Sequence, residues 1–162
     1  MLSSADRSRL LPETSRTVVD AEQHTMPLLG RLEALVEHDD LHALLIEHTA
    51  AWNSHDLDRL MGLFADDCVF EASSGAGPHG RRFEGRMQVR AAFAEVLDSM
   101  PDANWGGGRH FVLSDDYGVS EWRLTGTKPD GTHLDVFGCD FLTIRDGEIV
   151  RKNSLRKQSP AV

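Results

Sequence analysis

Cysteine is scarce in this chain. Only Cys68 and Cys139 occur among 162 residues, both inside apolar strand-like runs, so a disulfide-stapled scaffold is excluded and two buried thiols in a reducing compartment are expected. Long apolar runs are absent as well. None approaches the roughly 20 residues of a membrane span, and the opening M-L-S-S-A-D-R-S-R-L lacks the apolar core of a signal peptide, so a cytoplasmic protein without a membrane partner is expected. Positive charge is in deficit: 17 Lys and Arg stand against 26 Asp and Glu, a net charge of −9. That balance argues against nucleic acid as a partner, because a phosphate backbone demands a basic surface.

Several chemical signatures are missing too. Gly106-Gly107-Gly108 has no strand-loop-helix context and no Lys-Ser/Thr pair, which excludes a phosphate-binding loop and leaves a flexible rim as its expected role. Neither cysteine has an activating neighbour, and Ser73 and Ser74 lack a nucleophile-elbow context. Eight histidines are present, yet only His38 and His42 stand four apart beside Asp39, and spacing suggests no third ligand. No metal and no other cofactor is expected.

What is present is one domain's worth of chain. Residues 1 to 24 read as a poorly ordered or partner-docked arm, 25 to 157 as a single domain and 158 to 162 as a tail. Thr25 caps an expected helix with Pro27 in its first turn and the stripe Leu28, Leu32, Leu35, Val36, ending near His38. Asp39 or Asp40 then caps a second, with the stripe Leu41, Leu44, Leu45, His48, Trp52. Ser54 or Asp56 caps a third, with Leu57, Leu60, Met61 and Phe64 on one side. A short strand is expected over 68 to 71, a loop over a pocket mouth or an edge over 72 to 83, and a helix from Arg86 to Met100 that Pro101 ends. The period then switches from 3.6 to 2. Strands run from Trp105 to Leu113, from Tyr117 to Lys128 and through 132 to 157, with turns at 114 to 116, 129 to 131 and Asp146-Gly147. The fold class is therefore α+β, helices against one face of a curved, mainly antiparallel sheet.

Asp140 breaks the apolar pattern of the last hairpin, sitting mid-strand with Val136, Gly138, Leu142 and Ile144 on its own face. A carboxylate there must be paired, neutralised or open to a polar cavity. Two readings stand: an acid/base group kept protonated by burial, or a structural carboxylate paired with Lys152 or Arg156 across the hairpin. His48 is likewise a polar residue on an apolar helix face, either a satisfied core histidine or a partner of Asp140.

The residues L-H-A-L-L-I-E-H-T-A-A-W-N-S-H-D-L-D-R-L-M-G-L-F-A-D-D-C-V-F-E at 41 to 71 and V-F-G-C-D-F-L-T-I-R-D-G-E-I-V at 136 to 150 resemble the nuclear-transport-factor-2-like superfamily. Within it they are most similar to the SnoaL-like branch of polyketide cyclases and to ketosteroid isomerase. The resemblance covers about residues 39 to 157 and implies a cone-shaped α+β barrel with a pocket for a mostly apolar ligand, often dimeric through its outer sheet face. It implies that Asp140 matches an oxyanion-binding or acid/base aspartate and that His48 takes the place of an oxyanion-hole tyrosine. Lys152, Ser154 and Arg156 then take the inward positions of the last strand, and Trp122 and Leu124 face the cavity. The isomerase's proton-shuttling carboxylate is missing: Ala72 stands there, with Glu71 on the other face by strand parity. The final strand, R-K-N-S-L-R, also departs from the acidic or His-rich pattern of the cyclases.

The functional expectation is cofactor-free acid/base chemistry, namely isomerisation, cyclisation or hydration, on a largely apolar or aromatic carbonyl-type ligand that can carry an anionic group. Asp140 and His48 are the candidate catalytic residues. Trp52, Phe64, Trp105, Trp122, Leu124, Lys152, Ser154 and Arg156 are the candidate substrate-binding set. The alternative is a non-catalytic ligand-binding or association module on the same fold. An epoxide hydrolase would need an Asp-Arg-Asp set, and parity turns Arg123 and Asp135 outward. Phe137, Cys139 and Phe141 also face outward, an apolar stripe that a second copy in a two-fold dimer would cover.

Overall fold

The computed structural model describes residues 28–158, with side chains from His38 onward; the expected Thr25 cap and N-terminal arm lie outside them. Where two helices were expected, one runs unbroken as α1, Leu28–Asn53. The reason is local: Glu37-His38-Asp39-Asp40 contains neither Gly nor Pro, and each aspartate lowers helix propensity by well under about 1 kcal/mol, too little to break a helix whose next stripe is buried. Leu41, Leu45 and Trp52 of that stripe are core residues. The helix stops where His55 adopts φ 54°, and Asp56 caps the short α2, Leu57–Met61, by accepting from the Asp58 and Arg59 amides.

Phe64, expected on that helix, instead opens β1, Phe64–Glu71, longer than the expected strand. The loop that follows contains a short strand, β2, Arg82–Glu84. Then come α3, Arg86–Ser99, β3, Asn104–Ser114, β4, Tyr117–Thr127, β5, His133–Arg145, and β6, Glu148–Arg156. Gly106–Gly108 belongs to β3 rather than to a rim: the register shifts between Gly106 and Arg109, with Gly107 at φ 65°, which is a bulge in an edge strand. The β5–β6 hairpin turns on Asp146 and Gly147, both at positive φ, as Asp-Gly requires.

The strands form one six-stranded sheet in the order β2-β1-β6-β5-β4-β3. Only β1 and β6 pair in parallel; the meander from β3 to β6 is antiparallel throughout. The fold is the expected α+β cone, with helices against the concave face. Leu45 of α1 packs so closely on β4 that a Cβ at Gly118 would lie 2.8 Å from its Cδ1. Trp52, Phe64, Phe70 and Phe93 interlock edge to face at centroid distances of 4.8 to 5.2 Å. Among the described residues no helix is long and apolar enough to cross a membrane.

Gly138 is a second enforced glycine. An added Cβ would meet the Trp122 indole at 2.2 Å and the Leu155 carbonyl oxygen at 2.5 Å, and the backbone oxygen cannot swing away. Gly138→Ala should therefore cost about 1–3 kcal/mol of unfolding free energy, measured by urea denaturation.

Candidate functional site

The site grows out of strand register. His110 of β3 lies opposite Ser120 of β4, Ser120 opposite Asp140 of β5, and Asp140 opposite Ser154 of β6. One polar rung thus crosses four neighbouring strands on the concave face. His110 Nδ1 and Ser120 Oγ are 2.9 Å apart. At the other end Ser154 Oγ donates to Asp140 Oδ1 at 2.6 Å and accepts from Lys152 Nζ at 2.9 Å. Lys152 also forms an ion pair with Asp140. Asp140, Lys152, Ser120 and Ser154 are all buried, and the Lys152 ammonium lies 5.7 Å from the ring centroids of both Trp52 and Phe70.

The electrostatics follow from burial and pairing. Burial pushes the Asp140 carboxyl up, but the Lys152 charge, His48 and the hydrogen bonds of Lys152 and Ser154 outweigh it and hold the group below the usual carboxylate range. The aspartate is therefore ionised at neutral pH rather than kept protonated by its apolar neighbours. Lys152 is lowered, because burial outweighs the pull of Asp140. Both contacts of the carboxylate converge on Oδ1, and Oδ2 has no hydrogen bond of its own among the described residues.

A cavity of about 210 Å³ opens above this cluster. Asp140, Lys152, Ser154 and Arg156 line it together with Trp52, Trp105, Trp122 and Leu124, so eight of the sequence-derived candidates meet in one place. Trp105 is held there by Asn53, whose side chain donates to the Trp105 carbonyl at 3.0 Å and accepts from its amide at 2.8 Å. Phe64 and His48 do not line the cavity. Phe64 is fully buried as the first residue of β1, with its ring against His48 and Phe93. Position on a helix stripe could not reveal that the helix had already ended.

His48 lies one layer behind the wall. Trp52 Nε1 donates to its Nε2 at 3.1 Å, which fixes the neutral tautomer with the proton on Nδ1, and Nδ1 has no partner among the described residues. Burial first, then the Lys152 charge, lowers its pKa to about 3, with His110 adding to the effect and Asp140 opposing it. A histidine so placed accepts a hydrogen bond from Trp52 and is held neutral at neutral pH.

The loop expected over a pocket mouth or an edge supplies Ser73, Ser74, Arg81 and Phe83 to the wall, but Phe70, Ala92, Val96 and Met100, which add apolar surface, escaped sequence reasoning. The period of α3 marked its apolar residues as core, without distinguishing core from cavity wall. Ala72, standing where the isomerase base would be, also faces the cavity. Glu71 does turn away from it, yet is fully buried. Its Oε1 accepts from Arg82 at 2.7 Å and its Oε2 from Arg151 at 2.6 Å, with His79 3.5 Å away. Arg123 and Asp135 pair on the outer face at 2.6 and 2.7 Å. No group of three or more His, Cys, Asp or Glu side chains among the described residues could hold a metal, and both cysteines are free thiols.

The SnoaL-like domain model matches residues 45–152. The chain is similar in structure to a phenazine biosynthesis-related protein of Pseudomonas aeruginosa, at 14% identity and a TM-score of 0.68, covering 82% of this chain and 96% of that one. It is also similar to a candidate polyketide cyclase of Xanthomonas campestris pv. campestris, at 19% identity, a TM-score of 0.66, and 74% and 91% coverage. TerC, crystallised with polyporic acid, is similar at 18% identity, a TM-score of 0.61, and 71% and 89% coverage. At these identities the likeness is one of fold. No protein with a curated description matches the chain significantly.

The His48 geometry has a consequence for acid stability. Its folded pKa lies below that of the unfolded chain, so between pH 6.5 and about 3 the unfolded state binds the extra proton and stability falls as pH falls, by up to about 1.4 kcal/mol per pH unit. Asp140, also lowered, adds the same sign only as pH drops below the ordinary aspartate value of ~3.9. His48→Gln, which keeps an acceptor for Trp52, should flatten the dependence between pH 4.5 and 6.5, read from urea unfolding at each pH.

Proposed function

For this chain, which belongs to the SnoaL-like family, we propose cofactor-free acid/base chemistry on a small, largely apolar or aromatic carbonyl compound bound above Asp140. The observation that carries the reading is the buried carboxylate on the cavity wall with one oxygen tied to Ser154 and Lys152 and the other without a hydrogen bond among the described residues. An ionised Asp140 acts as the base, taking a proton from the carbon next to the substrate carbonyl. That proton cancels the charge which holds Lys152. The ammonium is then matched to the negative charge collecting on the carbonyl oxygen, and return of the proton to a different carbon completes an isomerisation. If the enolate carbon attacks a second carbonyl instead, the ring closes as that C=O π bond opens, and the new alkoxide takes the proton back from Asp140. Ser154 keeps the two charged groups in line, and the indoles exclude water.

A binding module is the second reading, favoured by the closed Asp140–Lys152 contact. The two separate on an exchange experiment. Wild-type protein in deuterium oxide should wash deuterium into the α-position of small aryl ketones, followed by NMR, and Asp140→Asn should slow this by about 100- to 10,000-fold while circular dichroism stays native. An Asp140→Asn protein that exchanges at the wild-type rate would remove the base from Asp140.

The same reading includes a two-fold dimer through the outer sheet face. It is supported by Phe137, 62% exposed, and Leu155, 51% exposed, beside Phe111 on that face, rimmed by the Arg109–Glu121 and Arg123–Asp135 pairs. Sedimentation should give a dimer that Phe137→Glu with Leu155→Glu converts to monomers; wild-type protein that is monomeric at every concentration would overturn it.

A further inference from the structure

The charges around the cavity do not cancel. Lys152 is answered by Asp140, and Arg81, which also lines the cavity, by Glu95 at 3.1 Å. Arg156 is on the wall as well, and among the described residues it has neither an ion pair nor a side-chain hydrogen bond. A half-buried guanidinium left over in a wall of otherwise matched charges is a binding group for an anion.

Its surroundings define the shape of that anion. Arg156 stands opposite Gly138 across the β5–β6 ladder. The missing side chain at Gly138 lets the Trp122 indole lie across the strand at a distance no Cβ would tolerate. Trp122 and Arg156 thus flank the same glycine from the two neighbouring strands, and both line the cavity. Size closes the description. A cavity of about 210 Å³ is below the roughly 300–1,000 Å³ of sites that enclose drug-sized ligands. It encloses one ring with a short substituent, and a fused three-ring compound would have to project out of it.

We propose that the cavity is selective for single-ring aromatic monoanions, with the carboxylate or an equivalent anionic oxygen group on Arg156 and the ring against Trp122. The inference rests on the reading that this cavity is the ligand site, and adds the charge and size of what enters it. At its other end the bound molecule reaches Asp140 and Lys152.

Calorimetric titration of the wild-type protein with benzoate, benzamide and anthracene-2-carboxylate tests the proposal. All three tryptophans of the chain line the cavity, so tryptophan fluorescence gives a second readout of the same events. Benzoate should bind one to one and at least tenfold tighter than benzamide, and anthracene-2-carboxylate should bind no tighter than benzoate. Arg156→Met should weaken benzoate roughly 10- to 100-fold and leave benzamide unchanged, with thermal melting confirming the fold; Arg156→Lys should recover part of the loss. Equal affinity for benzoate and benzamide, no binding of benzoate, or an unaffected Arg156→Met protein overturns anion selectivity. Tighter binding of the three-ring acid overturns the size limit. Asp140-dependent deuterium exchange that persists beside any of these failures leaves the acid/base reading standing alone. Benzoate selectivity together with exchange insensitive to Asp140→Asn does the reverse.

Discussion

An ammonium and a carboxylate removed from water together constrain this structure more than any other contact. Each ion loses several kcal/mol of hydration on burial, and their attraction recovers it only when geometry and further hydrogen bonds are good. Asp140 and Lys152 obtain both. They project from adjacent strands whose register places Asp140 opposite Ser154 and Lys152 opposite Leu142. Ser154 bridges them, and the faces of Trp52 and Phe70 flank the ammonium. An apolar pair of similar volume would commonly be as stable or more so. The fold therefore carries an ion pair for which stability alone gives little reason.

Keeping that pair in place requires a register without slippage through four strands, since a shift of one residue would turn Asp140 to the outer face. The Asp-Gly turn after β5 fixes one end. The irregularity between Thr143 and Ile144 then sets the phase in which Lys152 and Ser154 point inward. Two glycines do the rest by omission: Gly118 admits Leu45 of α1, and Gly138 admits Trp122. Small residues opposite large ones let the sheet close around a wall of indoles instead of collapsing on itself.

The fold was legible because it is written in local signals. Period-2 alternation, turn dipeptides and the helix stripe of Arg86 to Ser99 each act within a few residues, and strand parity alone brought Asp140, Lys152, Ser154, Arg156, Trp122 and Leu124 to one side. What parity could not supply was depth. His48 shares the stripe of Trp52, yet a 3.1 Å bond from that same tryptophan places it behind the wall. Phe64 looked helical because Leu57, Leu60 and Met61 precede it at helical spacing, and the three-dimensional packing that ends the helix at Met61 leaves no mark on that spacing. The ionisation of Asp140 was beyond sequence for a similar reason. Apolar neighbours argue for a raised pKa, whereas the Lys152 ammonium together with the hydrogen bonds and charges around it reverses the sign.

Burial of a carboxylate is by itself a poor guide to chemistry, and this protein contains the comparison that shows why. Glu71 and Asp140 are both buried, and cationic partners hold both below the usual range after burial has raised them. Glu71 has arginine on each oxygen, Arg82 on one and Arg151 on the other. A proton arriving there would break two charge-assisted bonds and would come from no cavity, since the residue faces away from it. Asp140 has its contacts gathered on one oxygen and a cavity beside it. A proton arriving on the other oxygen disturbs one ion pair and releases a cation next to the space a ligand would fill. Little surface is exposed on either residue, and what separates them is how completely they are satisfied; the incompletely satisfied one is where a reaction has room to occur.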